Sequence, residues 1–278
     1  MLAALAAITF LGAVVNGALG YGFSSITVPL ALLFLSNRVL NPALVVIEVA
    51  LNAYVLWVNR GALGPPGNVR WRVLPIVAGL APGILVGTMI VARVNPGWLR
   101  LWTFIVLLPL ILAQAAGYRR PIRSERAAGF VLGGGIGTLY AVTTISGPPL
   151  AVLLSNQGFL LQDFRAALGA IRLSESSLTA ISYSAAGLVT RESLRLIPWI
   201  VPSVLVGVPI GAWLIQRVRA ETFRRVCMSF DAWIVAFGLS TLLNELHVVN
   251  GASAFLVMPG VIAIDVWLYR FFTWSRTD

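Results

Sequence analysis

Lysine does not occur in these 278 residues, and cysteine and histidine occur once each, as Cys227 and His247. A single cysteine excludes an intrachain disulfide framework and any multi-cysteine metal site. A single histidine, placed in a polar stretch between apolar runs, argues against a serine–histidine catalytic pair and against a histidine-ligated metal. No glycine-rich loop ends in Gly-Lys-Ser/Thr, so ATP drive intrinsic to the chain is not expected. Charge is scarce: 11% of residues, against about 25% in soluble domains. The longest hydrophilic stretch, 117–126, is too short to be a soluble domain. The sequence therefore predicts no enzyme, no resident cofactor and no metal.

What is there is apolar: 58% of residues are hydrophobic. Runs of about 20 residues, the length that crosses a ~30 Å hydrocarbon core, lie near 40–58, 73–92, 98–116, 165–188, 196–216, 226–244 and 252–272. Two further apolar stretches, about 1–36 and 127–156, are rich in glycine. A net charge of +10 in a soluble protein would point to nucleic acid. Here the arginines fall in short loops between apolar runs, so membrane lipid and membrane orientation account for them, and no nucleic-acid partner is expected. Residues 1–16 have no basic region or small-residue cleavage site and read as part of the mature protein.

One pattern occurs twice. Asn16 to Ser36 (NGALGYGFSSITVPLALLFLS) and Gly133 to Ser155 (GGGIGTLYAVTTISGPPLAVLLS) place Pro29-Leu30-Ala31 over Pro149-Leu150-Ala151. Arg72 to Pro75 matches Arg195 to Pro198, and Gly83, Gly87, Arg93 and Val94 match Gly207, Gly211, Arg217 and Val218. The reading is a first membrane repeat at 1–116, a cytoplasmic linker at 117–126, a second repeat at 127–246 and an additional C-terminal helix at 252–272. Duplicated hydrophobic segments with matching glycine and proline interruptions are the pattern of secondary transporters, whose substrate site lies where the repeats meet.

Arginine placement refines the topology. If all nine apolar stretches crossed, nine arginines would face one side and ten the other, excluding Arg172 inside a run. If 1–36 and 127–156 are hairpins that enter and return on one side, the split becomes fourteen to five. The positive-inside rule favours the uneven split, with the C-terminus cytoplasmic. The expected fold is an all-α integral membrane protein of two inverted repeats, each a Gly/Pro-broken helical hairpin of two short arms plus three transmembrane helices, with one extra C-terminal helix. A proline-kinked single crossing is the alternative.

A broken helix leaves backbone groups unpaired, which hydrocarbon tolerates only inside protein or beside a wet cavity. Gly17, Gly20, Gly22 and Pro29 in one copy, and Gly133, Gly134, Gly135, Gly137, Gly147, Pro148 and Pro149 in the other, read as such breaks. Free N–H groups at the start of a helix arm form an anion site. The side chains nearby are polar and uncharged: Asn16, Tyr21, Ser24, Ser25 and Thr27 in one copy, Tyr140, Thr143, Thr144 and Ser146 in the other. Gly83, Gly87, Gly207 and Gly211 read as close-packing residues instead.

Charges inside apolar runs carry more information, because an unpaired charge at the bilayer centre costs about 3 kcal/mol on insertion scales. Glu48 and Asn52, four residues apart, share a helix face. Arg172, Glu175, Ser176 and Thr179 lie at matching depth in the second repeat. Arg172 has the planar fork to hold an anion, with Asn52 and Ser176 beside it, and Glu48 or Glu175 is the group to carry a coupling proton. An Arg172/Glu175 ion pair along one helix is the competing structural reading. Asp231 and Asp265 are weaker candidates, Asp231 reading as interfacial.

At GYGFSSITVP and GTLYAVTTISGPP the chain resembles the sulfite exporter TauE/SafE family over about residues 3–245. The resemblance implies transport of small sulfur-containing or carboxylated anions such as sulfite, sulfoacetate or other organosulfonates across the inner membrane. The family pattern ends before Ala252 to Phe272, which reads as an accessory or homo-oligomer-contacting helix. A passive anion channel and a membrane subunit of a larger complex are the alternative functions, with a membrane-embedded enzyme behind them.

Overall fold

The structure, a computed structural model, describes residues 1–63, 69–115, 125–156, 161–218, 220–249 and 251–274. The expected linker at 117–126 lies, but for its last two residues, outside the described residues. The described residues form helices and no strand: α1 (Leu2–Leu19), α2 (Phe23–Ala31), α3 (Asn37–Asn59), α4 (Val69–Arg93), α5 (Pro96–Ala115), α6 (Glu125–Thr143), α7 (Gly147–Asn156), α8 (Leu161–Ala185), α9 (Arg191–Leu214), α10 (Ala220–Glu245) and α11 (Val257–Trp274). Hydrocarbon supplies no hydrogen bonds, and a helix pairs its backbone groups within one segment.

Among the described residues seven segments are long and apolar enough to cross a bilayer: Leu2–Leu19, Asn37–Asn59, Trp71–Arg93, Pro96–Ala113, Arg191–Leu214, Arg225–Glu245 and Gly251–Arg270. This is a multi-pass membrane protein. α8 has the length, 25 residues, but carries Asp163, Arg165, Arg172 and Glu175. Its inner charges survive because α3 and α4 pack along it and leave Arg172 and Glu175 buried.

Both glycine-rich stretches are interrupted helices, and the interruptions differ from the expectation in place and proportion. α1 ends at Gly20 and α2 starts after Gly22, both with positive φ (79° and 105°). α6 ends before Thr144, itself in the left-handed region at φ 57°, and α7 starts after Ser146. Gly17, Gly133, Gly134, Gly135 and Gly137 lie inside continuous helices, and Pro29 inside α2. Pro148 and Pro149 occupy the first turn of α7, where a missing N–H costs nothing. The arms are unequal, 18 and 9 residues in the first copy, 19 and 10 in the second, where two short arms were expected. In the first copy α2 folds back along α1: a Cβ on Gly12 would meet Thr27 and Phe23, and one on Gly22 would meet Val15.

The chain divides into two compact units, each drawn from both halves of the sequence. One comprises Met1–Ser36, Asn95–Tyr118 and Pro202–Asp278, the other Asn37–Val94 and Arg119–Val201. In the second unit α4 and α6 touch backbone to backbone: a Cβ on Gly83 would stand 2.0 Å from the Gly134 carbonyl oxygen, and one on Gly79 2.1 Å from that of Phe130. In the first unit α9 meets α1 the same way, with 1.9 Å from Gly211 to the Val14 oxygen. Gly83, Gly87, Gly207 and Gly211 are thus packing glycines, as expected. So are Gly17, Gly133 and Gly137, which the sequence reading took for breaks.

Candidate functional site

α3 and α8 match polar residues turn for turn. Glu48 and Asn52 on one helix meet Arg172 and Ser176 on the other. Arg172 donates from Nη2 to Glu48 Oε1 at 3.0 Å. Asn52 Nδ2 donates to the Arg172 carbonyl at 3.3 Å and to Ser176 Oγ at 3.4 Å. Glu48 Oε2 accepts the Tyr140 hydroxyl of α6 at 2.5 Å. From the α6–α7 break, Ser146 Oγ donates to Glu175 Oε2 at 2.6 Å. Arg172 is 2% exposed, and Glu48, Tyr140, Ser146 and Glu175 are fully buried.

Such burial strips water from Arg172, Glu48 and Glu175, and only pairing and hydrogen bonds offset that cost. Glu48 has a donor on each oxygen. Arg172 is less satisfied: its Nε and Nη1 have no hydrogen-bond partner among the described residues, and the same holds for Glu175 Oε1, Thr179 Oγ1 and Asn41 Oδ1. Arg172, Glu175 and Thr179 recur at helical spacing on one face of α8. The result is a buried polar stripe with a cation at its head and unused donor capacity.

The break beside it is held by borrowed donors. Tyr183 donates its hydroxyl to the Ala141 carbonyl, and Asn41 Nδ2 donates to the Val142 carbonyl at 2.8 Å. These are the carbonyls that the end of α6 leaves unpaired. Thr143 Oγ1 accepts the Ile145 N–H at 3.0 Å, and Thr144 Oγ1 donates to the Thr143 carbonyl at 2.7 Å. Both threonine hydroxyls therefore serve the turn. Ser146 caps α7, its carbonyl accepting from Leu150 N. Because Pro148 and Pro149 carry no N–H, the α7 terminus offers only the Gly147 N–H ahead of Leu150, a poorer anion site than a free helix start.

The first-copy residues Asn16, Tyr21, Ser24 and Ser25 are all buried and lie around the α1–α2 break, in the other compact unit. There the N–H groups of Phe23, Ser24 and Ser25 precede the first helical bond of α2, from Ile26 to Gly22. Thus the structure gathers Glu48, Asn52, Thr143, Thr144, Ser146, Arg172, Glu175 and Ser176 into one unit and those four residues into the other.

Two readings need correction. The ion pair of Arg172 is with Glu48, while Glu175 is held by Ser146. Asp231 is fully buried within α10, neither carboxyl oxygen having a partner among the described residues, rather than interfacial. Tyr140 and Thr179, named among the polar residues of the second copy without a role, belong to the cluster, and so do Tyr183 and Asn41, which the sequence reading missed because hydroxyls and amides in apolar runs give no charge signal. Among the described residues no group of three or more His, Cys, Asp or Glu is placed to hold a metal.

The family model for the sulfite exporter TauE/SafE matches residues 5–237. The chain belongs to that family. TauE/SafE membership implies a membrane transporter of sulfur anions. The matched region contains the whole cluster around Arg172, while α11 lies beyond it, as the end of the duplication anticipated. No curated protein and no solved structure matches the chain.

Proposed function

We propose that this TauE/SafE protein is a secondary transporter that moves a small sulfur-containing or organic anion, such as sulfite, sulfoacetate or another organosulfonate, across the inner membrane by alternating access with proton coupling. The observation that carries the reading is Arg172: a guanidinium buried within a membrane protein, with two nitrogens unpartnered among the described residues. A planar cation with spare donors suits an oxyanion, and short hydroxyl neighbours suit a small one. Asn52, Ser176, Ser146, Thr143 and Thr144 supply the polar surroundings, and Glu48 and Glu175 the protonatable groups. Asn16, Tyr21, Ser24 and Ser25 serve the anion elsewhere on its path, at the start of α2. The arginine-rich side and the C-terminus face the cytoplasm.

Thermal unfolding of the detergent-purified protein against sulfite, sulfate, thiosulfate, sulfoacetate, methanesulfonate, acetate and phosphate tests this, because only a ligand of the folded state raises the melting temperature. A selective rise with sulfite or a sulfonate is expected. No rise with any anion would overturn the reading.

A further inference from the structure

Arg172 already holds an anion. Its Nη2 lies 3.0 Å from Glu48 Oε1 in a fully buried pair, so an incoming oxyanion meets a guanidinium that is half engaged. Nε and Nη1 give the newcomer somewhere to bind first. Binding there with Glu48 still ionised would place two anions on one cation inside the membrane, and little else nearby compensates. From α3 the facing ionisable group is Glu48 itself; from α6 it is Tyr140; α8 contributes Glu175 and Tyr183 besides Arg172. α7 contributes none, and the charges of α4 (Arg70, Arg72, Arg93) are confined to its two ends. Among the described residues the cluster holds one cation, Arg172.

We infer that Glu48 is an internal anion occupying Arg172 when substrate is absent, and that it yields the guanidinium by taking up a proton. This rests on the anion site proposed above. The charge around Arg172 stays constant only if each entering monoanion is matched by one proton on Glu48, whatever state Glu175 holds. Anion and proton binding are thereby linked one to one. Tyr140 is a positioning residue: its hydroxyl holds Glu48 Oε2 and keeps the carboxyl beside Arg172 in both states.

Calorimetric titration of the full-length protein with methanesulfonate, in buffers of different ionisation heat, counts the protons directly. Methanesulfonate keeps its charge from neutral to mildly acidic pH, which sulfite does not. Wild type is expected to take up one proton per anion and to bind about tenfold more weakly for each pH unit of increase. Glu48→Gln, with the competing charge removed, is expected to bind at neutral pH at least as tightly as wild type, with no proton uptake and no pH slope. Binding by wild type without proton uptake, or a Glu48→Gln variant that keeps the slope or loses binding, overturns the competition while leaving the transporter reading intact. A wild-type proton count of zero overturns the competition even if the variant fails to fold. If wild type binds no anion at any pH, the proposed function itself falls.

Discussion

Arg172 donates to one oxygen of Glu48 and Tyr140 to the other, and the two contacts do different work. Tyr140→Phe removes one donor and leaves a buried acceptor, a loss of about 1–3 kcal/mol. Thermal unfolding of the variant in detergent should show a lower melting temperature. An unchanged one would mean that the Tyr140 contact carries no weight. Arg172→Leu should abolish anion binding, but it strands Glu48, and breaking a buried pair costs about 3–5 kcal/mol. Arg172→Lys separates the two effects. It keeps a charge beside Glu48 and loses the fork, so it should fold and bind anions about 10- to 100-fold more weakly, the worth of one charged hydrogen bond. Wild-type affinity in that variant would remove Arg172 from the site. At this scale the sequence was informative about which residues matter and silent about who meets whom. Charges stand out in apolar runs, so Glu48, Arg172 and Glu175 were legible. Their pairing was not, because helical spacing relates Arg172 to Glu175 on α8 and says nothing of Glu48, 124 positions away.

Helices were legible from apolar runs, but the breaks were misplaced for a reason that concerns glycine. A glycine inside an apolar helix serves equally for a break or for close approach of a second backbone, and only the neighbouring helix decides between them. Gly83 and Gly135 make the distinction measurable. Gly83→Ala puts a methyl 2.0 Å from the Gly134 carbonyl oxygen, a rigid backbone group, so α4 and α6 must part. Destabilisation of about 3 kcal/mol or loss of monodisperse protein is expected. On α6, a Cβ at Gly135 meets no neighbouring group within 4 Å. Gly135→Ala should be neutral or stabilising by about 0.5–1 kcal/mol. Equal melting temperatures for the two variants would contradict the backbone contact between α4 and α6.

At the scale of the molecule, α4 packs on α6 in one unit and α9 on α1 in the other, and these are pairings of equivalent segments one turn apart in register: Gly83 meets Gly134, whereas its sequence counterpart Gly207 meets Phe10 and Ala13, and it is Gly211 that meets Val14. A duplicated chain that exchanges equivalent segments between its compact units does this naturally, and it explains why neither unit coincides with a repeat. The membrane topology then turns on the α6–α7 stretch. Between the exposed turn at Gly61 and the exposed start of α9 at Glu192 lie α4, α5, α6–α7 and α8. If α6–α7 returns to its own side, three crossings separate the two positions and they face opposite sides of the membrane. If it crosses, there are four and they face the same side. Gly61→Cys and Glu192→Cys, each placed in a Cys227→Ser background and labelled in intact cells with a membrane-impermeant maleimide, read this directly. Labelling of Glu192→Cys alone is expected, since the arginines near Gly61 belong to the fourteen assigned to the cytoplasm. Matching labels would restore the even split of arginines and make the second glycine-rich stretch a kinked crossing, removing the inverted relation between the repeats while leaving the Arg172–Glu48 site in place.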